Sequence, residues 1–172
     1  MRGMSAALWS LFLAGWLAAA GLSFSSPPGW RATAPASSMR VAQFTLPRAD
    51  GDAEDAELVV YFFGGTGGSV DANIQRWVGQ MQQPDGAPVA PVKRDTARMN
   101  GLTITLIDVS GTYVAETAPG APTHHNNPGY RLRAGVIETP AGPYYIKLTG
   151  PQKTVAKWDP AFKDFIASMR AK

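Results

Sequence analysis

The spacing of hydrophobic residues along the chain predicts a domain of strands with two helices. Stretches rich in β-branched and aromatic residues, or alternating in polarity, occur at about six places and predict strands. They cover residues 40–46, 57–63, 93–99, 102–109, 131–139 and 144–148. Asn100-Gly101 joins two of these stretches and is the dipeptide best suited to a two-residue type I′ hairpin.

Two segments have the spacing of an amphipathic helix. In the first, Ser69 is a suitable N-cap, and one helical face carries Val70, Ile74, Trp77, Val78 and Met81. In the second, Asp159-Pro160 opens a helix whose inner face carries Phe162, Phe165, Ile166 and Met169. The order β-β-α-β-β-β-β-α has no βαβ alternation, so it predicts an α+β domain: an antiparallel sheet of about six strands covered by helices.

Residues 1–20 have the layout of a secretory signal peptide. Arg2 precedes an uncharged stretch that starts at Ser5, and Ala18-Ala19-Ala20 offers a cleavage site after Ala20. The alternative is an uncleaved anchor, because about 20 apolar residues span a bilayer core of ~30 Å. Either way we expect an exported protein, periplasmic or extracellular, which is tethered to the membrane only if this segment is retained.

The next segment, residues 21–38, is rich in Pro, Ser and Ala and is predicted to be an exposed linker. Its Trp30 is the exception, since a single Trp in such a stretch is expected to dock on the folded part. Residues 39–172 then form one α+β domain, long enough to bury its own core.

Composition excludes several classes of protein. The net charge of +3 comes without a basic stripe, which argues against a nucleic-acid partner. The chain has no Cys, so disulfides, thiolate metal sites and Cys nucleophiles are excluded.

Three segments contain residue types used in phosphate binding, catalysis or metal binding, and each has a simpler structural interpretation. Gly64–Ser69 lacks the Lys of a phosphate-binding loop, so a turn with an N-cap is expected. Asp108 is a lone acid, expected to hydrogen-bond Thr112 or a loop amide. His124 and His125 are adjacent and have only Glu116 nearby, which is poor metal-ligand spacing. We therefore predict no catalytic, cofactor or metal site and no enzyme activity.

The sequence resembles the PsbP-like (Mog/PsbP) superfamily over residues 39–170. The resemblance rests on Met39-Arg40-Val41, Phe44-x-x-Pro47, Glu57–Tyr61, Ala72–Trp77 after the Gly-rich loop, Asn100-Gly101, Asp108–Tyr113, Tyr145–Pro151 and Ser168-Met169. The chain is also similar to uncharacterised exported bacterial proteins and lipoproteins, although Leu13-Ala14-Gly15-Trp16 has Trp where a lipidated Cys would stand.

The resemblance implies an α/β/α sandwich and a non-catalytic role. Members of the superfamily include photosystem assembly factors, extrinsic photosystem subunits and a nuclear-transport factor that binds a small GTPase. No active site is shared among them, so no functional residue is transferred to this chain.

Two hypotheses of function follow. The first is an exported non-catalytic domain that binds a protein partner or assists an envelope assembly, with the long loop 114–129 as the contact surface. The second is a small-molecule carrier or weak hydrolase that uses a cleft between helix and sheet.

Export with cleavage predicts a mature protein that starts near Gly21. We expect the intact mass of protein recovered from the envelope of a native-like host to lack residues 1–20. A mass that retains Met1 to Ala20 would show an anchor instead.

Overall fold

A computed structural model describes residues 16–19, 21–65, 67–90 and 92–172, with the backbone alone for residues 16–19. The strands are β1 (Trp16–Ala19), β2 (Leu22–Ser25), β3 (Arg31–Ala32), β4 (Arg40–Leu46), β5 (Ala56–Phe62), β6 (Met81–Gln82), β7 (Lys93–Met99), β8 (Leu102–Tyr113), β9 (Asn127–Thr139), β10 (Gly142–Pro151) and β11 (Arg170–Ala171). The helices are α1 (Val70–Val78), α2 (Gln152–Lys157) and α3 (Asp159–Ala167).

One antiparallel sheet forms the centre of the fold. Its order is β3-β4-β5-β10-β9-β8-β6, and β7 pairs with the first half of β8 while β6 pairs with its end. The predicted α+β class is confirmed, but the sheet has eight strands among the described residues rather than about six. The strands that the sequence does not reveal, β3 and β6, have two residues each, too few for an alternating pattern.

The hairpin predicted at Asn100-Gly101 is confirmed. Met99 pairs with Leu102, and the φ angles of Asn100 and Gly101 are 54° and 79°, the left-handed values that a type I′ turn requires. The Asn100 side-chain amide donates to the carbonyls of Ala167 at 3.0 Å and Met169 at 2.9 Å. The turn is thereby tied to the end of α3.

Helices α2 and α3 cover one face of the sheet. α3 buries Phe162, Phe165 and Ile166 against side chains that come from alternate positions along the strands. These strand residues are Phe44, Leu46, Leu58, Val60, Ile104, Ile137, Tyr144, Ile146 and Leu148. Trp30 is 8% exposed, and its ring lies 5.1 Å from that of Phe165, so its predicted docking is confirmed.

Residues 21–38 are not an exposed linker throughout, which corrects the prediction from composition. They contain β2 and β3; Leu22 and Phe24 are fully buried, and the Phe24 ring lies 5.2 Å from that of Phe165. β2 also pairs with β11. The two apolar residues of β2, separated by Ser, are too weak a signal to predict a strand. Within residues 21–38, only residues 31–38 are continuously exposed. The folded region therefore begins before Met39.

The predicted signal peptide, residues 1–20, lies outside the described residues except for the backbone of β1, which pairs with β2. Its cleavage therefore stays a prediction. In the part of the chain that the structure describes, no helix is long and apolar enough to cross a membrane.

The opposite face is covered only in part, by α1. Ser69 accepts the Ala72 N–H at 3.1 Å, so the predicted N-cap is confirmed, and Ile74 and Trp77 are buried. The helix is shorter than the hydrophobic spacing predicts: it ends at Val78, and Met81 is buried in β6 instead. Nine residues span only about 13.5 Å, and they lie over β8 and β9. The described residues leave the same face of β5 and of the second half of β10 open.

The burial of Phe24 is open to a direct test. We expect Phe24→Ala to lower the free energy of unfolding by roughly 3–5 kcal/mol, because it leaves a cavity beside Phe165. Urea melts measure this loss, and the control is Met39→Ala at an exposed apolar position. A loss as small as that of the control would restore the linker interpretation.

Candidate binding groove

The open part of the sheet face is a groove with a volume of about 1220 Å³. Its floor is the outward face of β5 and β10. One wall comes from the last turn of α1 and the residues after it, and the other from the connection between β8 and β9, residues 114–126. The groove exists because α1 is too short to cover the whole face.

Strand register determines which side chains form the floor. Tyr145 pairs with Tyr61, Lys147 with Val59, and Thr149 with Glu57. Since side chains alternate across a strand, these positions share the face opposite to α3. A lysine is therefore placed on the floor between Tyr145 and Thr149, with Val59 as its partner on the neighbouring strand.

Lys147 is the most perturbed cation of the groove. It is half-buried, and its ammonium donates to the Tyr113 hydroxyl at 2.8 Å. Burial lowers the pKa of Lys147 to about 8; the Glu57 carboxylate opposes this shift, and the positive charges of Arg76 and Arg40 add to it. The ion pairs of the described residues all involve other cations.

Tyr113 is held in place by its neighbours. Its ring stacks on Tyr130 with centroids 6.0 Å apart and lies 5.2 Å from the His125 ring. Burial raises the pKa of Tyr113 to about 12, so the hydroxyl stays protonated and accepts the Lys147 hydrogen bond through its oxygen. The pair is therefore a cation beside a neutral phenol, not an ion pair.

Each acid that lines the groove already has a donor within the protein. Glu57 accepts from the Gln43 amide at 2.7 Å, and Glu54 accepts from the Tyr130 hydroxyl. Asp55 accepts from the backbone N–H of Arg48 at 2.9 Å, and Glu116 from that of Gly120 at 2.7 Å. The carboxylates are thus turned toward internal partners.

Arg76 is the second cation without a carboxylate. It lies in the last turn of α1 at the rim of the groove and donates to the Asn73 side-chain oxygen at 2.6 Å. It forms no ion pair among the described residues, whereas Arg40 lies 3.4 Å from Glu57. Among the described residues, Lys147 and Arg76 are thus the two cations of the groove that have no carboxylate at ion-pair distance.

Hydrogen bonds within residues 114–126, the second wall of the groove, hold this segment in a defined turn. The Thr117 and Thr123 hydroxyls lie 2.6 Å apart, and the His125 N–H donates to the Ala115 carbonyl at 2.8 Å. Glu116 and His124 form an isolated β-bridge. Most of the predicted contact loop 114–129 therefore lines the groove as a fixed wall.

The three sites singled out in the sequence are spread over the fold. Ser69 is the N-cap of α1, and Gly67 packs under Tyr145 so closely that a Cβ there would overlap its hydroxyl. Among the described residues, no three His, Asp or Glu side chains come together as a metal site. The absence of a metal at His124 and His125 stays a prediction.

Asp108 has a partner that the sequence does not reveal. It binds Arg131 through both carboxylate oxygens, and Arg131 and Arg133 also reach Asp159 of α3. The expected bond to Thr112 or a loop amide is therefore wrong. Burial alone would raise the pKa of Asp108, but hydrogen bonds and charge from Arg131 outweigh it and lower the pKa. The cluster joins β8 and β9 to α3 on the face away from the groove.

Comparison with known proteins shows the fold. The solution structure of cyanobacterial PsbP (CyanoP) from Synechocystis sp. PCC 6803 matches with a TM-score of 0.54 at 12% identity, covering 97% of this chain and 98% of that one. The chain thus has a PsbP-like fold, as its resemblance implied. PA94 of Pseudomonas aeruginosa, a protein of unknown function, matches with a TM-score of 0.47 at 17% identity, covering 85% of this chain and 88% of that one.

No protein-family model and no curated protein matches the sequence. The likeness to solved structures therefore concerns the fold, and the groove has to be interpreted from its own residues.

The burial of Lys147 predicts a pH-dependent stability. At pH 7 the amine is charged in both the folded and the unfolded chain, so the full cost of burying it is present, and Lys147→Met should be more stable than the wild type. As the pH rises through about 8 the folded amine becomes neutral, whereas the unfolded one keeps its charge up to its ordinary pKa of 10.5. The wild type then gains stability, and the difference between the two proteins narrows.

Urea melts between pH 7 and pH 10 measure this difference. The matched control is Lys153→Met, which removes an exposed cation of α2 and should show no such trend. A difference between Lys147→Met and the wild type that stays constant over this range would contradict the shifted pKa.

Proposed function

We propose that this chain is an exported, non-catalytic protein-binding domain that takes an extended segment of a partner protein in the groove. The observation that carries the proposal is the groove itself: an open trough of about 1220 Å³, with aromatic and arginine side chains along its length. Small-molecule sites are usually about 300–1,000 Å³ and enclose their ligand. An open trough above that range suits a chain segment better.

The lining has the composition of a protein interface. Tyr61, Trp77, Tyr113, Tyr130 and Arg76 all border the groove. Tyrosine, tryptophan and arginine are the residue types that most often carry the binding energy of protein interfaces. A partner in this groove would also contact the wall 114–126, which includes most of the loop predicted as the contact surface.

The proposal of a non-catalytic role rests on the groups present. Neither His124 nor His125 has a side-chain hydrogen bond to a hydroxyl or a carboxylate within the described part of the chain, so a hydroxyl nucleophile activated by histidine is missing there. The placement outside the cytoplasm, periplasmic or extracellular, rests on the signal-like pattern of residues 1–20.

A peptide selection tests the proposal. The probe is a displayed library of random peptides of about ten residues, ~33 Å when extended. We expect the wild type to enrich a peptide pool, and the double variant Tyr61→Ala/Tyr130→Ala to bind these peptides at least about tenfold more weakly, because it removes two aromatic anchors. The two single variants serve if the double variant does not fold.

The matched control is Lys163→Ala/Asp164→Ala, which changes two exposed residues of α3 on the other face. Failure to enrich any peptide, together with thermal shifts by small molecules that depend on Tyr61, would favour the small-molecule carrier and reject the protein-binding proposal.

A further inference from the structure

We propose that the groove contains an anion subsite, formed by Lys147 on the floor and Arg76 on the rim, that recognises a carboxylate of an acidic segment in the partner protein. The inference rests on the proposed function and specifies the chemistry of the bound segment.

The first argument is the pairing of charged groups inside the groove. All four acids on its lining, Glu54, Asp55, Glu57 and Glu116, accept hydrogen bonds from the protein itself. Lys147 and Arg76 have no carboxylate at ion-pair distance among the described residues. The lining as a whole holds four acids and three cations, so the place for an anion is local: it lies at Lys147 and Arg76, which have no carboxylate of their own among the described residues.

The second argument is the hydrogen-bonding capacity of Lys147. An ammonium has three donors, and in the described part of the chain only the Tyr113 hydroxyl accepts from it. Tyr113 is in turn fixed by its stacking on Tyr130. The amine is thereby held by a neutral partner, with donors left over for a ligand.

The third argument is the local environment. Lys147 is half-buried on a floor that it shares with Tyr145 and Val59, so water screens its charge less than it would at an exposed site. A carboxylate bound to this amine would reduce the cost of burying it and would also be attracted by Arg76. Glu57 on the same face repels an incoming negative charge, so the carboxylate has to reach Lys147 and Arg76 directly.

The spare donors of Lys147 also decide the kind of occupant. An extended segment places alternate side chains on the same side, about 6.6–6.8 Å apart. One acidic side chain can reach Lys147 while its neighbours contact the tyrosines along the trough. We therefore assign the subsite to an acidic peptide segment.

Two libraries of displayed peptides test the inference. One contains all residue types, and the other lacks Asp and Glu, with the terminal carboxylate blocked by fusion in both. We expect the wild type to enrich peptides with Asp or Glu from the first library and to enrich none from the second. Equal enrichment from both would overturn the anion subsite and leave the protein-binding proposal standing, whereas enrichment from neither would reject the protein-binding proposal itself.

Variants of Lys147 and Arg76 test whether these two residues form the subsite. An enriched acidic peptide should bind Lys147→Met at least about tenfold more weakly than the wild type, and Arg76→Gln several-fold more weakly. The matched controls are Lys153→Met and Arg98→Gln, two exposed cations outside the groove, which should leave the affinity unchanged.

A double-mutant cycle separates a direct contact from a change of shape. Replacing the critical Asp or Glu of the peptide by Asn or Gln should weaken binding to the wild type by a clearly larger factor than binding to Lys147→Met, in which only Arg76 is left to contact the carboxylate. Additive losses would overturn the contact. A thermal shift by inorganic phosphate that needs Lys147, without binding of acidic peptides, would mean a small-anion site and would also overturn the proposal.

Discussion

The pairing of β10 between β5 and β9 is the constraint on which the rest of the structure depends. Because side chains alternate along a strand, β10 has to serve two environments at once: Tyr144, Ile146 and Leu148 enter the core under α3, and Tyr145 and Lys147 face the other way. The core side is covered by two helices and by the packed residues of β2. In the part of the chain that the structure describes, the other side has one helix of nine residues, and the remainder that it does not cover is the groove.

How far the sequence predicts this arrangement depends on how many residues carry each signal. Six strands, the Asn100-Gly101 turn and the Ser69 N-cap have strong local signals and are confirmed. β2 has only Leu22 and Phe24 among small and polar residues, so composition suggested a linker there. β3 and β6 are too short to leave any pattern.

The groove could be predicted only in part. Tyr145 and Lys147 are two residues apart in a strand, so their shared face follows from the sequence. That Tyr113 and Arg76 meet this face depends on the length of α1 and on where the wall 114–126 turns, which are properties of the tertiary structure. Asp108 shows the same limit, since its partners Arg131 and Asp159 come from two other elements.

The order of strands in the sheet also bears on how the chain reaches its native state. β5 ends at Phe62, but its partner β10 begins only at Gly142, so the central pairing joins segments that are far apart in sequence. Sheets built on such distant pairs fold slowly, because the loop between them has to close before the contacts form. The N-terminal third cannot complete its share of the core until the C-terminal third is available. Under the proposed export, this delay would keep the chain unfolded until it has left the cytoplasm.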